Sequence, residues 1–247
     1  DAARSLTLVS DVDYVDDPNQ LAHGSLVAMG LARLRARHLG AATVQLAVVG
    51  AGEAAGIVGT GHDMAAWQRA GGRTVTIDPG AIRRPVRSEQ HRQALDGRRV
   101  LRAILFSDAR GFSHLAEQHL PLFYNQVMGA VAAVREAHPG AVISSNSWGD
   151  AFHATIVDVE AAASIALDIQ DAINRLGNQF APLAGTEMRI GLHFGAVYEL
   201  EDPVTGRLNS YGREIARAAR IEPVTPPGAV YVTQGFAAML ALEPSSR

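Results

Sequence analysis

Two short stretches decide the fold, LRAILFSDARGF at residues 101–112 and SSNSWGDAF at residues 144–152. The apolar run AILF is typical of a strand that is buried on both faces, and Asp108 follows at its end. The second stretch predicts two strands that reverse at Gly149, because glycine tolerates the backbone conformation of a tight turn, with Asp150 in the reversal. We therefore expect both aspartates at the edge of one sheet, where they could face each other.

A pair of carboxylates held on strand ends is typical of a magnesium site. Mg²⁺ takes one or two protein carboxylates and leaves its other positions to phosphate oxygens and water. Taken singly, Asp108 could instead cap a helix, and Asp150 could be an ordinary turn residue. The residues alone leave open whether the two aspartates have these structural roles or bind a metal. In the second case the expected function is metal-assisted phosphate chemistry.

The composition indicates a globular chain, whose 247 residues suffice for one large domain or two small ones. Hydrophobic residues make up 47% of it, the formal net charge is -3, and no apolar run approaches the roughly 18 residues of a membrane span. We expect a cytoplasmic protein with no membrane span and no nucleic-acid partner. Because the chain begins at Asp1 without methionine or a signal peptide, we also expect a fragment of something longer.

Two residue types are absent from the chain. There is no cysteine, and all 22 basic residues are arginine. The absence of cysteine excludes disulfides, thiolate zinc sites and cysteine nucleophiles. The absence of lysine excludes Schiff-base chemistry and the lysine of a phosphate-binding P-loop.

The order of the predicted elements divides the chain into three parts. Residues 1–78 alternate strands and helices, which predicts a small α/β unit, and their glycine-rich stretch at 50–61 lacks dinucleotide-binding spacing and is interpreted as a loop. Residues 79–99 are rich in arginine without interleaved aromatic residues, which favours a linker. Residues 100–247 predict a strand, helices, a hairpin, a helix, a strand, a helix and a strand. This order is typical of an α+β domain of ferredoxin-like type.

Four motifs in the second half of the chain resemble those of the class III nucleotidyl cyclases. That family has F-x-D-I-x-G-F at a strand end, K-x-x-G-D in a hairpin turn, G-I-H-x-G in a later strand and D-x-x-G-x-x-V-N-x-A-x-R on a helix. Here the same order reads FSDARGF, NSWGD, GLHFG and NSYGREIARAAR. The resemblance implies the βαββαβ catalytic domain of that family. It also implies conversion of a nucleoside triphosphate to a 3′,5′-cyclic nucleotide and pyrophosphate.

Carried over residue by residue, the resemblance implies a site with two Mg²⁺ or Mn²⁺ ions. Asp108 and Asp150 match the metal ligands, with the backbone of Ala109 beside them. Arg220 matches the arginine that stabilises charge in the transition state, a role suited to a side chain that never deprotonates. The backbone implied to cradle the triphosphate continues through Arg110, Gly111 and Phe112.

The positions that read the base depart from the family pattern. The lysine and aspartate of purine-specific relatives are replaced by Asn146 and Asn209, and the ribose-positioning asparagine by Ala216. Two amides offer hydrogen-bond donors and acceptors but do not encode which base they meet. Trp148 and Tyr211, next to these positions, add aromatic bulk that could fill a pocket sized for a purine.

These substitutions leave three functions open. The first is an adenylyl cyclase with an unusual base reader, which family frequency favours slightly. The second is a pyrimidine cyclase similar to those of bacterial Pycsar antiphage defence, and the third is an inactive nucleotide-binding regulatory module. The intact pair of metal aspartates argues against the third, because a binding module has no need of both.

Members of the family act as dimers with shared sites. The resemblance implies that Asp108 and Asp150 of one protomer face the asparagines and Arg220 of a second copy, giving two sites in a homodimer. Dimerisation would then control activity. The arginine-rich linker and the N-terminal unit, or a regulatory domain upstream of it, are the expected places for an input.

Overall fold

The computed structural model describes residues 8–9, 17–50, 58–78, 99–177 and 179–244. It divides into two compact units, one formed by residues 1–100 with 237–247 and the other by residues 101–236. Nearly all of the predicted linker lies outside the described residues, so the three-part division of the chain stays a prediction. In the described part of the chain, no helix is both long enough and apolar enough to cross a membrane.

Two helices and two strands alternate in the first unit. They are α1 (Pro18–Leu39), β1 (Val44–Val48), α2 (Thr60–Arg69) and β2 (Arg73–Ile77). Asp17 caps α1 by accepting a hydrogen bond from the backbone N–H of Asn19. The two strands pair in parallel, with Leu46 opposite Val75.

Helix α2 was not predicted from the sequence. Its first two residues, Thr60 and Gly61, were assigned to the glycine-rich loop, of which residues 51–57 lie outside the described part of the chain. The N-cap position of α2 is Gly59, which supplies no side-chain hydrogen bond to the helix. The usual Ser, Thr, Asp or Asn signal for a helix start is therefore missing.

Six strands form the sheet that carries the second unit, in the order β4-β5-β3-β6-β7, with β8 paired to β6. They are β3 (Arg99–Arg110), β4 (Val142–Trp148), β5 (Ala151–Ile156), β6 (Glu187–Glu201), β7 (Leu208–Tyr211) and β8 (Val230–Val232). The predicted hairpin is present, since β4 and β5 pair antiparallel on either side of the turn. β7 was not predicted, because four residues after a turn carry too little periodicity to be recognised.

The helices of this part of the chain lie between and after the strands. They are α3 (Leu120–Phe123), α4 (Gly129–Ala137), α5 (Val159–Gly177), α6 (Arg213–Ala218) and α7 (Gln234–Leu240). A π-helical turn at Tyr124–Met128 joins α3 to α4, and Pro121 lies in the first turn of α3 as the sequence predicted. α5 packs on α4 and on β6. The fully buried side chains include Ile104, Phe123, Ile165, Ile169 and Ile190. The predicted α+β class is confirmed, with β3, α3 and α4, β4, β5, α5 and β6 in the βαββαβ order.

Candidate active site

Strand register brings Asp108 and Asp150 together. Asp108 on β3 is the partner of Ala151 on β5, the residue that follows Asp150. The chain can reverse this sharply because Gly149 has a φ of 60°, in the left-handed region that favours glycine. The two carboxyl groups are close enough for the charge of Asp108 to act on Asp150. The central expectation of the sequence, two aspartates facing one another at the edge of a sheet, therefore holds in the structure.

The pKa of the Asp150 carboxyl is raised above its usual range. Burial is the largest cause, and the negative charge of Asp108 adds to it. The charge of Arg189 acts in the opposite direction. A cation placed between the two carboxylates would remove the repulsion between them, so the pair is suited to bind one.

Two further charged residues, Arg189 and Glu222, complete this cluster, and neither was among the predicted site residues. Arg189 on β6 forms an ion pair with Asp108, and its Nε lies 3.0 Å from Oε1 of Glu222. Burial, followed by the charges of Asp108 and Asp150, raises the pKa of Glu222, and Arg189 partly offsets them. We call Asp108, Asp150, Arg189 and Glu222 the carboxylate site. A signal for Arg189 was present, since it lies two residues before the GLHFG motif and on the same face of the strand as Gly191.

The glycines of GLHFG allow the segment at 213–224 to lie against β6. A Cβ on Gly191 would lie 2.7 Å from the backbone nitrogen of Glu222, and a Cβ on Gly195 would lie 2.6 Å from Cγ of Glu214. Both distances are too short for any other residue at these two positions without movement of the segment. The motif therefore positions the chain on both sides of Arg220.

The histidine of the same motif is a buried structural residue. Nε2 of His193 lies 2.6 Å from Oε2 of Glu214, and its Nδ1 lies 2.9 Å from Oγ1 of Thr233. The His193 and Glu214 side chains are only 3% and 4% exposed. Because both ring nitrogens have side-chain partners, the histidine ties α6 to the sheet.

The two residues predicted to read the base also meet. Nδ2 of Asn146 on β4 donates to Oδ1 of Asn209 on β7 at 3.2 Å, although the two are 63 residues apart. We call them the amide pair. Tyr211 is 36% exposed and Trp148 is 64% exposed, so neither aromatic ring is part of the core.

Comparison with known proteins places this site in a family. The sequence profile of the adenylate and guanylate cyclase catalytic domain matches residues 101–247. The chain belongs to this cyclase family. The structures of two cyclases share the fold. The guanylyl cyclase Cya2 is 22% identical, with a TM-score of 0.51 over 59% of this chain and 81% of that one. The adenylyl cyclase CyaB from P. aeruginosa is 19% identical, with a TM-score of 0.53 over 59% of this chain and 83% of that one.

A light-regulated bacterial adenylyl cyclase is similar as well, at 25% identity and a TM-score of 0.51 over 57% of this chain and 45% of that one. No curated protein matches the chain. The predicted class III nucleotidyl cyclase domain is thus confirmed as the family and as the kind of enzyme. Because the similar structures include both adenylyl and guanylyl cyclases, they do not identify the base.

The other predicted site residues lie in the segment that follows Asp108 and in the region of α6. Ala109 is buried, and Gly111 has a φ of 98° in the segment that leads from Asp108 to Phe112. Arg110 lies on the surface, where its Nη1 is 3.3 Å from Oε2 of Glu187. The last two, Ala216 and Arg220, are exposed. Among the described residues, no hydrogen bond or ion pair joins Arg220 to Asp108 or Asp150.

The protein side chains present fit a metal ion whose remaining ligands come from phosphate. Within the described ranges, no group of three or more His, Cys, Asp and Glu side chains is placed to hold a metal ion. The cyclase offers two carboxylates, Asp108 and Asp150, and Mg²⁺ commonly uses that number when its remaining ligands are phosphate oxygens and water. The residues present therefore fit a metal that binds together with a nucleotide better than a metal held by protein alone.

Proposed function

We propose that this cyclase domain converts a nucleoside triphosphate, ATP in the first instance, to a 3′,5′-cyclic nucleotide and pyrophosphate with the help of two Mg²⁺ or Mn²⁺ ions. In this reaction the 3′-hydroxyl gives its proton to water, its oxygen bonds to the α-phosphorus, and the bond from the α-phosphorus to the pyrophosphate oxygen breaks, so that pyrophosphate leaves. The observation that carries the proposal is the register that sets Asp108 beside Asp150. Such a pair is suited to metal-assisted phosphate chemistry, because a cation would relieve the repulsion between the two carboxylates.

Each part of the site has a separate task in this proposal. Asp108 and Asp150 would hold the ions, and the ions would supply activation of the 3′-hydroxyl and neutralisation of the leaving pyrophosphate. The backbone from Ala109 to Phe112 cradles the triphosphate, and Gly111 leaves room for its close approach. The Arg189 guanidinium, which already pairs with Asp108, can direct its remaining N–H groups toward phosphate oxygens.

A second protomer would complete the site. Arg220 is exposed and has no contact with the metal aspartates of its own chain within the described residues, which supports its action across a homodimer interface. There it would stabilise charge that develops on the transferred phosphorus. Light scattering tests this directly, because a protein that stays monomeric at high concentration with Mn²⁺ and nucleotide, yet turns over, would exclude shared sites.

One observation favours a second substrate class. Trp148 and Tyr211 bring two large aromatic side chains next to the amide pair, which suits a smaller base than a purine. A pyrimidine cyclase that acts on UTP or CTP is therefore the second candidate. The inactive module is disfavoured, because a protein that only binds nucleotide does not need both Asp108 and Asp150.

Product analysis separates these functions. The protein is incubated with Mn²⁺ and, separately, ATP, GTP, CTP and UTP, and the products are resolved by chromatography, with Asp150→Asn as the blank. We expect one cyclic product and a loss on the order of 10²-fold or more in the blank, because the variant removes a carboxylate that holds metal. The absence of a cyclic product from all four triphosphates would reject the enzyme and leave the binding module.

A further inference from the structure

A chain of hydrogen bonds runs from Asp202 to the amide pair. Asp202 lies in the turn between β6 and β7, and its Oδ2 accepts from Nδ2 of Asn209 at 3.4 Å. The same carboxylate also shares a hydrogen bond with the Tyr211 side chain. Oδ1 of Asn209 accepts from the backbone N–H of Ser210 at 2.9 Å and from Nδ2 of Asn146 at 3.2 Å.

These hydrogen bonds are consistent with only one orientation of the two side-chain amides. The pKa of Asp202 is held below its usual range, chiefly by two backbone N–H groups of its own turn, so the carboxylate stays ionised and can only accept. The N–H of Ser210 can only donate. Asn209 must therefore direct its nitrogen to Asp202 and its oxygen to Ser210. Asn146 must then donate to Asn209. The Oδ1 of Asn146 remains an acceptor that is not used by Asn209 or by Asp202.

Buried hydroxyl groups fix the backbone beneath the amide pair. The Oγ of Ser144 lies 2.6 Å from Oγ1 of Thr155 and 3.2 Å from Oγ of Ser210, and the last two are 2.9 Å apart. All three residues are at most 6% exposed. Ser144 precedes Asn146 by two positions on the same face of β4, and Ser210 follows Asn209 on β7. The two asparagines are thus mounted on strands that cannot shift independently.

We infer that Asp202 is a specificity-determining positioning residue of this cyclase, because, together with the backbone N–H of Ser210, it fixes the direction in which the amide pair presents its donors and acceptors. The inference rests on the proposed function, in which Asn146 and Asn209 read the base of the triphosphate. Asp202 acts through Asn209 and does not touch the substrate.

The direction of the amide pair matters because amino and keto bases carry reversed groups. Adenine has an amino donor beside a ring-nitrogen acceptor, whereas guanine has a carbonyl acceptor beside a ring N–H donor. Cytosine and uracil differ in the same way. If the orientation of the amide pair is fixed, it fits adenine better than guanine, or the reverse, and it discriminates cytosine from uracil in the same way. If the amides can flip, they fit both bases of each couple. Asp202 should therefore control the choice between amino and keto bases and leave the choice of ring size to other residues.

Asp202→Asn tests this with the least change in shape. In the variant the Oδ1 can still accept from the backbone N–H groups of Val204 and Thr205, which lie at 2.8 and 3.2 Å. The atom that faces Asn209 becomes a donor. Asp202→Ser is the second variant, because a serine hydroxyl can support the same turn but is too short to reach Asn209. Asp168→Asn is the matched control, since its carboxylate pairs with His138 at 2.7 Å in the helical part of the domain.

The measurement is calorimetric binding of the four 3′-deoxynucleoside triphosphates with Mn²⁺ to the whole chain. These ligands lack the attacking hydroxyl and cannot cyclise. We expect the unchanged protein and Asp168→Asn to prefer one member of the amino–keto couple, and both Asp202 variants to reduce that preference about tenfold without changing the preference for ring size. Binding that is equal for all four ligands or absent in the unchanged protein, an equal loss for all four in the variants, or an unchanged amino–keto preference in folded variants would overturn the inference.

Turnover of the ordinary triphosphates, recorded in parallel, keeps the two proposals apart. A preference that depends on Asp202 without any cyclic product would reject the proposed cyclisation and keep the inference. A cyclic product together with an amino–keto preference that the Asp202 variants do not change would support the proposed cyclisation and reject the inference.

Discussion

Strand β6 carries two side-chain contacts with carboxylates, four residues apart on one face, and the contacts differ in exposure and in the number of carboxylates. Arg189 pairs with Asp108 and Glu222, and its side chain is 29% exposed. His193 lies 2.6 Å from Glu214 with both side chains almost fully buried. The same strand thus holds one contact that solvent and substrate can reach and one that they cannot.

The difference shows which contact is available for chemistry. At Arg189, one guanidinium faces three carboxylates, of Asp108, Asp150 and Glu222, and the unbalanced negative charge can accept a cation. At His193, one carboxylate and the Thr233 hydroxyl use both ring nitrogens. A satisfied buried pair stabilises the fold, whereas an unbalanced and partly exposed cluster is suited to bind and react.

The largest expected effect concerns the buried contact. Glu214→Ala removes one member of a buried pair and the carboxylate that contacts Nε2 of His193, so we expect the free energy of unfolding to fall by about 3 kcal/mol. Urea unfolding measures this. Glu136→Ala on the exposed side of α4 is the matched control and should change the free energy of unfolding by less than about 0.5 kcal/mol. A loss in Glu214→Ala as small as that of the control would show that the buried pair is not structural.

The exposed contact should behave in the opposite way. Arg189→Gln removes the only positive charge in the carboxylate site, so we expect turnover to fall about 30-fold with little change in unfolding free energy. Because Arg189 lowers the pKa of Asp150 and of Glu222, its loss should also move the acidic limb of the pH–activity profile to higher pH.

Arg102→Gln is the control for this experiment. Its Nε lies 2.6 Å from Oε1 of Glu199, so it also removes a short ion pair from the sheet, but a pair outside the carboxylate site. Equal losses of turnover in Arg189→Gln and Arg102→Gln would mean that Arg189 has no special place in the reaction.

The two contacts also differ in how far the sequence could predict them. Asp108 and Asp150 were predictable because local features place them, the end of an apolar run and a glycine turn, and because their motifs have family spacing. Arg189 had only a local signal, its position two residues before GLHFG, since its contact with Asp108 joins residues 81 positions apart and depends on the placement of β6 beside β3. The pairing of His193 with Glu214 was hidden for a similar reason, because α6 must first be positioned by Gly195.

The amide pair shows the same limit at shorter range. The sequence predicted Asn146 and Asn209 as the residues that read the base, but it could not predict the direction of their amides. That direction depends on Asp202, which looks like an ordinary turn residue until β7 is formed. β7 itself was missed, so the network that it carries could not be predicted.

A second buried histidine sharpens the comparison, because it lacks the carboxylate that His193 has. His153 on β5 is 3% exposed, and its ring stacks on Phe106 with centroids 4.4 Å apart. Its Nε2 has no hydrogen-bond partner among the described residues. Burial lowers the pKa of His153 to about 4, from 6.5 for an exposed histidine.

The sign of the resulting pH dependence follows from proton counts. Between pH 6.5 and about 4 the unfolded chain binds a proton at His153 that the folded chain does not, so stability rises with pH through this window and is lost as the pH falls. We expect His153→Leu to reduce the loss of unfolding free energy between about pH 7.5 and pH 5 by about 1–2 kcal/mol. Urea unfolding at the two pH values measures it, and His114→Leu at an exposed position should leave the loss unchanged. If His153→Leu loses as much stability as the unchanged protein, the folded chain accepts the proton, and a buried histidine on this sheet would not need the partner that Glu214 provides to His193.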